Sequence, residues 1–313
     1  MNTTDLESSS LVTIVFRTVI MIIIMVLALV GNSITLAILY KKESLRTKTS
    51  VFVANLAIAD LLNGLLVMPV ILSASIANNW PFGNAFCQVS AVITVQLCLT
   101  SISTLCAVAI ERYHSIVNPM VYESKMCKRN VIFLLSWTWI QPFVFSMLPI
   151  LGWGKYVYVP YIFTCITPWG DDTAFTVVLF LVCMFIPYVI TVKVYYHIGR
   201  LTFRLLKRVN NAVSTGTSGP ICYGSPKRSD VKSASVFAIV LGTFTICWLP
   251  YQIIMICQLF NITLPNWYFT VAAWLAVMNS SCNPIIYCLM NRQYRDGFKE
   301  LIRRHRLQYT YDK

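Results

Sequence analysis

Between Gln88 and Ile110 the chain runs for twenty-three residues without a lysine, arginine, aspartate or glutamate. A helix rises about 1.5 Å per residue, so this stretch can cross a hydrocarbon core of roughly 30 Å. In lipid no water satisfies a backbone N–H or C=O, so each such stretch must close its own hydrogen bonds as a helix. Six other apolar runs surround this one, from about Ile14 to Tyr40, Thr49 to Ile76, Asn130 to Leu151, Thr173 to Leu206, Asp230 to Leu259 and Pro265 to Leu289. None alternates with the period of two that a membrane β-barrel needs. Charged residues make up 12% of the chain, against about 25% in a soluble domain. The fold class these runs predict is an all-α membrane protein, a seven-transmembrane helix bundle.

A net charge of +13 would suit a nucleic-acid partner, but its distribution excludes one. Lys41, Lys42, Arg46 and Lys48 follow the first span, and Lys125, Lys128 and Arg129 follow the third. Arg200, Arg204, Lys207, Arg208, Lys227, Arg228 and Lys232 lie around the loop between spans five and six. Arg292, Arg295, Lys299, Arg303, Arg304, Arg306 and Lys313 close the chain. The opposite side holds only Arg17, near the start of span one, and Lys155. That is the positive-inside pattern. It predicts a multi-pass plasma-membrane protein with its N-terminus extracellular and its C-terminus cytoplasmic. The organisation expected is an extracellular N-terminus over 1–13, a seven-span domain over 14–290 with a third inner loop at about 207–229, and a surface helix with tail over 291–313. The segment Gln293 to Leu301 reads as an amphipathic helix lying on the membrane lipid. The head Met1 to Ser10 lacks the basic n-region of a signal peptide, so span one is expected to insert itself.

Several residues stand out against the apolar background. Asp60 is the one acid deep in a span, where a charge is expensive and functional by default; a protonated Asp satisfied by its neighbours is the plainer alternative. Asn32, Ser101, Asn279, Ser280 and Asn283 supply side-chain oxygens from other spans. Glu111 and Arg112 end the third span, either as an interfacial stop signal or as charges with partners on neighbouring spans. Pro187 and Pro250 interrupt spans five and six, and a proline removes a backbone bond and kinks a helix. Of the eleven cysteines, Cys98, Cys106, Cys183, Cys247, Cys257, Cys282 and Cys288 sit in apolar spans as small fillers. Cys87 and Cys165 fall on the oxidising side, where a disulfide can persist.

Taken in order, Gly31-Asn32, Leu56-x-x-Ala59-Asp60, Glu111-Arg112-Tyr113, Trp137, Pro187 with Tyr195, Cys247-Trp248-x-Pro250 and Asn283-Pro284-x-x-Tyr287 fall one set per span. In this the chain resembles a rhodopsin-like (class A) G-protein-coupled receptor from about Gly31 to Leu301. The resemblance is orphan-like, and Gly152-Trp153-Gly154 is similar to opsins and melatonin receptors. It implies a sodium ion held mid-membrane by Asp60, Ser101, Asn279, Ser280 and Asn283, favouring the resting state. It implies that Arg112 is a switch, paired at rest with Glu111 or with Asp230 at the start of span six. Asp230 also fits as a solvated acid at a helix start. Ile102, Pro187 and Phe244 match the family's packing relay, Trp248 its pocket floor above Pro250, and Tyr195 and Tyr287 the tyrosines that swing inward in active receptors. Met120, after Pro119, matches the residue that plugs into a heterotrimeric G protein.

The pocket implied is lined by Thr94, Val95, Cys98, Leu179, Phe180, Cys183, Trp248, Tyr251, Gln252, Met255, Phe269, Ala273 and Val277. Thr94 stands where aminergic receptors carry an Asp, which disfavours a monoamine. Val277 stands where opsins carry the Schiff-base lysine, so no retinal is expected. A small neutral lipophilic ligand suits such a lining. So does a constitutively active orphan receptor, related to opsins but without retinal attachment. A seven-helix ion pump or channel would need a chromophore lysine and a carboxylate relay, and an enzyme would need His, Glu or Asp clustered at bilayer depth. His114, His197 and His305 all sit at or beyond the inner surface, so no enzyme is expected. No cysteine follows Cys288 to carry a palmitate. Candidate phosphorylation sites, and with them any recruitment of arrestin, concentrate at Ser214, Thr215, Thr217, Ser218, Ser225 and Ser229. Asn2 and Asn261 are outward glycosylation sequons.

Overall fold

A computed structural model describes residues 11–214 and 228–300, and its side chains apart from those of 205–214 and 228–234. Seven of its helices are long and apolar enough to cross a membrane: α1 (Leu11–Lys41), α2 (Lys48–Ala77), α3 (Gly83–Ile116), α4 (Lys128–Met147), α5 (Thr173–Arg204, helical on to Ser214), α6 (Arg228–Leu259) and α7 (Asn266–Met290). A further helix, α8, runs over 292–300. Between α4 and α5 two short antiparallel strands, β1 (Val157–Val159) and β2 (Thr164–Ile166), pair with Tyr158 opposite Cys165.

The spans start and bend for local reasons. Thr47 caps α2: its hydroxyl accepts from the Ser50 amide, while the Ser50 hydroxyl accepts from the Thr47 amide at 2.6 Å. Asp172 caps α5 through Oδ1, which accepts from the Phe175 amide at 2.9 Å. Two stretches wind as π-helix, Asn63–Val67 in α2 and Phe180–Phe185 in α5. Each lies just ahead of a proline, Pro69 or Pro187, whose ring has no N–H and crowds the carbonyl four residues back. A locally wider turn absorbs that crowding. Pro142, Pro250 and Pro284 lie inside α4, α6 and α7.

The third span is the centre. α3 packs on α2, α4, α5, α6 and both strands. Its buried face runs from Cys87 down to Glu111, Arg112 and Ile116. Outer faces elsewhere are apolar and exposed, as on α4 at Ile132, Phe133, Ile140 and Phe143, which is the surface lipid requires. Polar side chains instead stitch helices together inside. Asn55 of α2 donates to Thr104 of α3 at 2.8 Å and to Thr138 of α4 at 3.2 Å, and accepts from the Trp139 indole at 2.8 Å. Trp137, the span-four marker in the sequence, faces outward and is half exposed. Asn32 of α1 donates to the Ser280 carbonyl of α7 at 3.0 Å. Beside it Gly31 lets α1 close on α7: a Cβ there would stand 2.8 Å from the Pro284 ring.

Candidate functional site

Three polar or hollow regions succeed one another along the bundle, from the hairpin end to the end that carries the basic residues. The first is a cavity open at its mouth, with about 810 Å³ of free space when the solvent-open part is counted. Its wall includes Thr94, Val95, Cys98, Leu179, Trp248, Tyr251, Ala273 and Val277, all expected from the sequence. Cys183, Gln252, Met255, Phe180 and Phe269 are not part of that wall. Cys183 is fully buried and its sulfur accepts from Gln141 of α4 at 2.8 Å. Gln252 donates to the Met184 sulfur at 3.0 Å, and Met184 occupies the wall instead. Met255 is packed into the core.

The sequence reading missed the share of this wall that comes from the hairpin, Ile162, Thr164 and Ile166, and from the segment after it, Trp169. The signal was Cys165. Its disulfide to Cys87, at the start of α3, draws β2 across the mouth of the bundle, with the two Cα atoms 5.5 Å apart. Thr270 of α7 donates to the Tyr161 carbonyl at 2.7 Å, and Gln88 of α3 to the Tyr156 carbonyl at 3.1 Å. Burial pushes the Tyr158 phenol up to about 12, with nearby Arg17 opposing the shift. On the floor, Trp248 stacks on Phe244 at 5.7 Å and meets Tyr251 edge-on at 5.9 Å. Phe244 shares one buried cluster with Ile102, and Pro187 comes directly after the π-helical turn of α5. The Pro187 carbonyl accepts from the Thr191 hydroxyl at 2.7 Å.

The second region lies below Trp248. Asp60 is fully buried, and its Oδ2 accepts from Asn283 at 2.7 Å. Among the described residues Oδ1 has no hydrogen-bond donor, although the Ser280 hydroxyl lies beside the carboxyl. Asn63, on the cavity wall, donates to the Ser280 hydroxyl at 3.0 Å, so the cavity adjoins this cluster. Asn32 Oδ1 and Asn279 Oδ1 are also buried without a donor among the described residues. Ser101 is buried and donates to the Leu97 carbonyl at 3.2 Å. Asp60, Asn283, Ser280 and Asn63 are thus drawn together, while among the described hydrogen bonds none joins Ser101 or Asn279 to the carboxyl.

The third region is at the basic end. Glu111 and Arg112 are both buried, and two parallel bonds join them: Nε to Oε2 at 2.6 Å and a terminal nitrogen to Oε1 at 2.7 Å. Such a fork is the strong form of ion pair. Thr49 of α2 joins both, donating to Glu111 Oε2 at 3.1 Å and accepting from Arg112. Tyr122, in the short helix Tyr122–Lys125, donates to Glu111 Oε1 at 2.7 Å. Burial and that bond push its phenol well above the usual tyrosine value, so it remains a donor at any physiological pH. Lys48 holds the assembly from outside, 2.7 Å from Glu123 and 4.7 Å from the Tyr122 ring centroid. The pair thus lies inside the bundle, with partners on a neighbouring span and on the short helix.

Around this pair, Tyr113 meets the His114 ring edge-on at 5.6 Å. Tyr195 packs on Ile116 and Ile198. Tyr287 is buried with its hydroxyl unpartnered among the described residues, against Phe237 at 6.3 Å and Tyr294 of α8 at 5.5 Å. Pro119 and Met120 form a short turn in which Met120 is 94% exposed. Asn261 is exposed in the turn between α6 and α7. The side chains of Asp230, Ser214 and Ser229, and residues Asn2, Thr215, Thr217, Ser218 and Ser225, lie outside the described residues.

Residues 31–287 match the model of the seven-transmembrane receptor family described as the rhodopsin family. The chain belongs to that family. It is 27% identical over 312 residues to G-protein coupled receptor 161 of Mus musculus, covering 90% of this chain and 55% of that one. The corresponding Danio rerio protein is 28% identical over 327 residues, covering 96% and 60%. The chain therefore spans little more than half the length of these relatives. The 5-hydroxytryptamine receptor 4 of Homo sapiens is 28% identical over 295 residues, covering 88% and 76%. Squid rhodopsin shares the fold, with a TM-score of 0.77 at 20% identity, covering 92% of this chain and 85% of that chain.

Proposed function

We propose that this class A receptor sits in the plasma membrane with the hairpin end outside, and drives nucleotide exchange on a heterotrimeric G protein at its basic end. The observation that carries this reading is the buried Glu111–Arg112 fork, tied to α2 by Thr49 and to the adjoining short helix by Tyr122. A cation locked in this way has a second use only if the bundle opens. Opening would free the guanidinium at the inner mouth, next to the exposed Pro119-Met120 turn that a G protein could grip. The prolines of α5 and α6 supply the bend by which a small displacement near Trp248 becomes a larger one at the inner ends. Nothing in this scheme makes or breaks a covalent bond, so the protein acts as a signal transducer and not as an enzyme.

A ligand shifts such an equilibrium only by its differential affinity for the open form. Among the described residues the cavity wall has no charged side chain, and Thr94 and Val277 offer neither a carboxylate nor a lysine. That supports a small neutral lipophile and gives retinal no attachment point. The same lining supports the second reading, a receptor active without ligand. Arrestin binding would be read from the third inner loop, with Ser214 to Ser229 as its phosphorylation sites.

Sodium fits the middle cluster. A hard cation takes oxygen ligands, and among the described residues Asp60, Asn32 and Asn279 each present a buried oxygen without a donor. The Asp60 carboxylate would balance the charge, with Ser101, Ser280 and Asn283 completing the set. When bound, the ion would tie α1, α2, α3 and α7 together and so favour the closed form.

Nucleotide exchange on purified heterotrimers of each Gα class, without ligand, tests the reading. Wild-type protein in lipid nanodiscs should exceed empty nanodiscs on at least one heterotrimer, or do so once a neutral lipophile from a screen is added, and Arg112→Ala should abolish the excess. Exchange that survives Arg112→Ala at equal folded protein rules out the switch.

A further inference from the structure

Among the described residues Arg17 is the one cation in the outer half of a span, and neither the switch nor the ion cluster uses it. It is only 8% exposed. Its guanidinium carbon lies 4.5 Å from the Phe163 ring centroid, and a terminal nitrogen donates to Asn78 Oδ1 at a long 3.4 Å. Its Nε–H has no partner among the described residues. Phe163 is the turn of the hairpin, placed between cavity-lining Ile162 and Thr164. Its φ of 55° puts a bulky residue in the left-handed region, where Cβ crowds the backbone and L side chains rarely go. Contacts must hold it there. The ring is buried in one apolar cluster with Met21 of α1 and Val67 and Ile71 of α2, with Arg17 over its face.

We propose that Arg17 is the positioning residue of the binding cavity: a releasable pin that holds the hairpin across the mouth by gripping the Phe163 ring, and so sets where Ile162 and Thr164 stand. The inference rests on the cavity being the ligand site. The disulfide fixes one side of the hairpin permanently, and the Thr270 bond to Tyr161 ties it to α7. On the α1–α2 side the ring also packs in an apolar cluster, and the cation–π contact is the polar part of that grip. A desolvated contact of this kind is among the stronger ones, but the unpartnered Nε–H would gain water if the hairpin lifted. The two effects oppose each other, which is what a pin that can let go requires. Arg17 itself touches no ligand; it acts through Phe163.

Hydrogen–deuterium exchange of the hairpin amides (157–166), in lipid nanodiscs without ligand or G protein, tests this. Arg17→Met keeps the length and removes the charge, and should speed hairpin exchange about tenfold, the scale of a desolvated cation–π contact. Exchange in α3 and α7 should not change. Arg17→Lys keeps a cation over the ring and should stay within about twofold of wild type. Phe163→Leu should match Arg17→Met, and the double variant should be no faster than either single one. If Arg17→Met fails to fold, Phe163→Leu against wild type reads the same contact. Unchanged hairpin exchange overturns the proposal. So does faster exchange throughout the bundle, or Arg17→Lys behaving like Arg17→Met, since either makes Arg17 ordinary packing. None of these readouts involves nucleotide exchange, so failure of the pin and failure of the receptor reading are separate results.

Discussion

Thr49→Val is the sharpest perturbation of the closed inner end. Valine has nearly the shape of threonine, so it removes the hydroxyl and little else. That hydroxyl serves both members of the buried pair, donating to Glu111 at 3.1 Å and accepting from Arg112. Hydrogen bonds to charged groups contribute about 1.5–3 kcal/mol each. Glu111 keeps Arg112 and Tyr122 as partners, so the loss belongs at the low end, about 1.5 kcal/mol. In the open bundle these groups would face water and the hydroxyl would matter little. The whole loss therefore falls on the closed form and moves the closed–open equilibrium about tenfold toward open. Ligand-free nucleotide exchange by the variant in nanodiscs should rise about tenfold, or to its ceiling. Thr49→Ser, which keeps the hydroxyl, should stay near wild type. Unchanged or reduced exchange in Thr49→Val, at equal amounts of folded protein, would refute the reasoning.

Other consequences concern the rest of the bundle. Raising sodium at constant ionic strength should lower ligand-free exchange in the wild type, and Asp60→Asn should erase that dependence; a wild type indifferent to sodium removes the ion from the scheme. Gly31→Ala places a Cβ 2.8 Å from the Pro284 ring, and overpacking of this kind costs about 1–3 kcal/mol. Its melting temperature should fall by several degrees, and an unaltered melt would mean that α1 and α7 part easily. Replacing Cys87 and Cys165 by serine should cost about 2–5 kcal/mol and loosen the hairpin, which a lower melting temperature with faster exchange over 157–166 would reveal.

The seven spans were legible because lipid imposes a simple rule on a long apolar helix, and the chain obeys it at each run. The residues drawn inward were legible where chemistry makes them conspicuous: Asp60 is too costly to bury idly, and Cys87 and Cys165 are the cysteines placed to oxidise. Their partners were harder to read. Thr49 and Tyr122 are ordinary residues in sequence, and only the approach of α2 and the short helix after α3 brings them to Glu111. Trp139, not Trp137, turns inward on α4, because Asn55 offers it an acceptor and two helix faces of similar hydropathy give no other hint. The π-helical turns before Pro69 and Pro187 shift the facing of the later turns in α2 and α5 by a residue, and a strict 3.6-residue repeat cannot anticipate that. The pocket was read from span positions alone. It therefore left out Ile162, Thr164, Ile166 and Trp169, which reach the cavity through a connection whose path is set by a disulfide.

Signalling by this route requires α6 to swing away from α3 at the inner end, so the separation of the inner helix ends is the thing to measure. Spin labels at Lys128 of α4 and Ser235 of α6, both exposed, report it by pulsed electron resonance in nanodiscs. A short distance should dominate in the resting wild type. A longer one should grow in when nucleotide-free G protein is added, and should already be populated in Thr49→Val without it. A single distribution, the same with and without G protein and in the variant, would contradict the claim that opening this end of the bundle is how the protein signals.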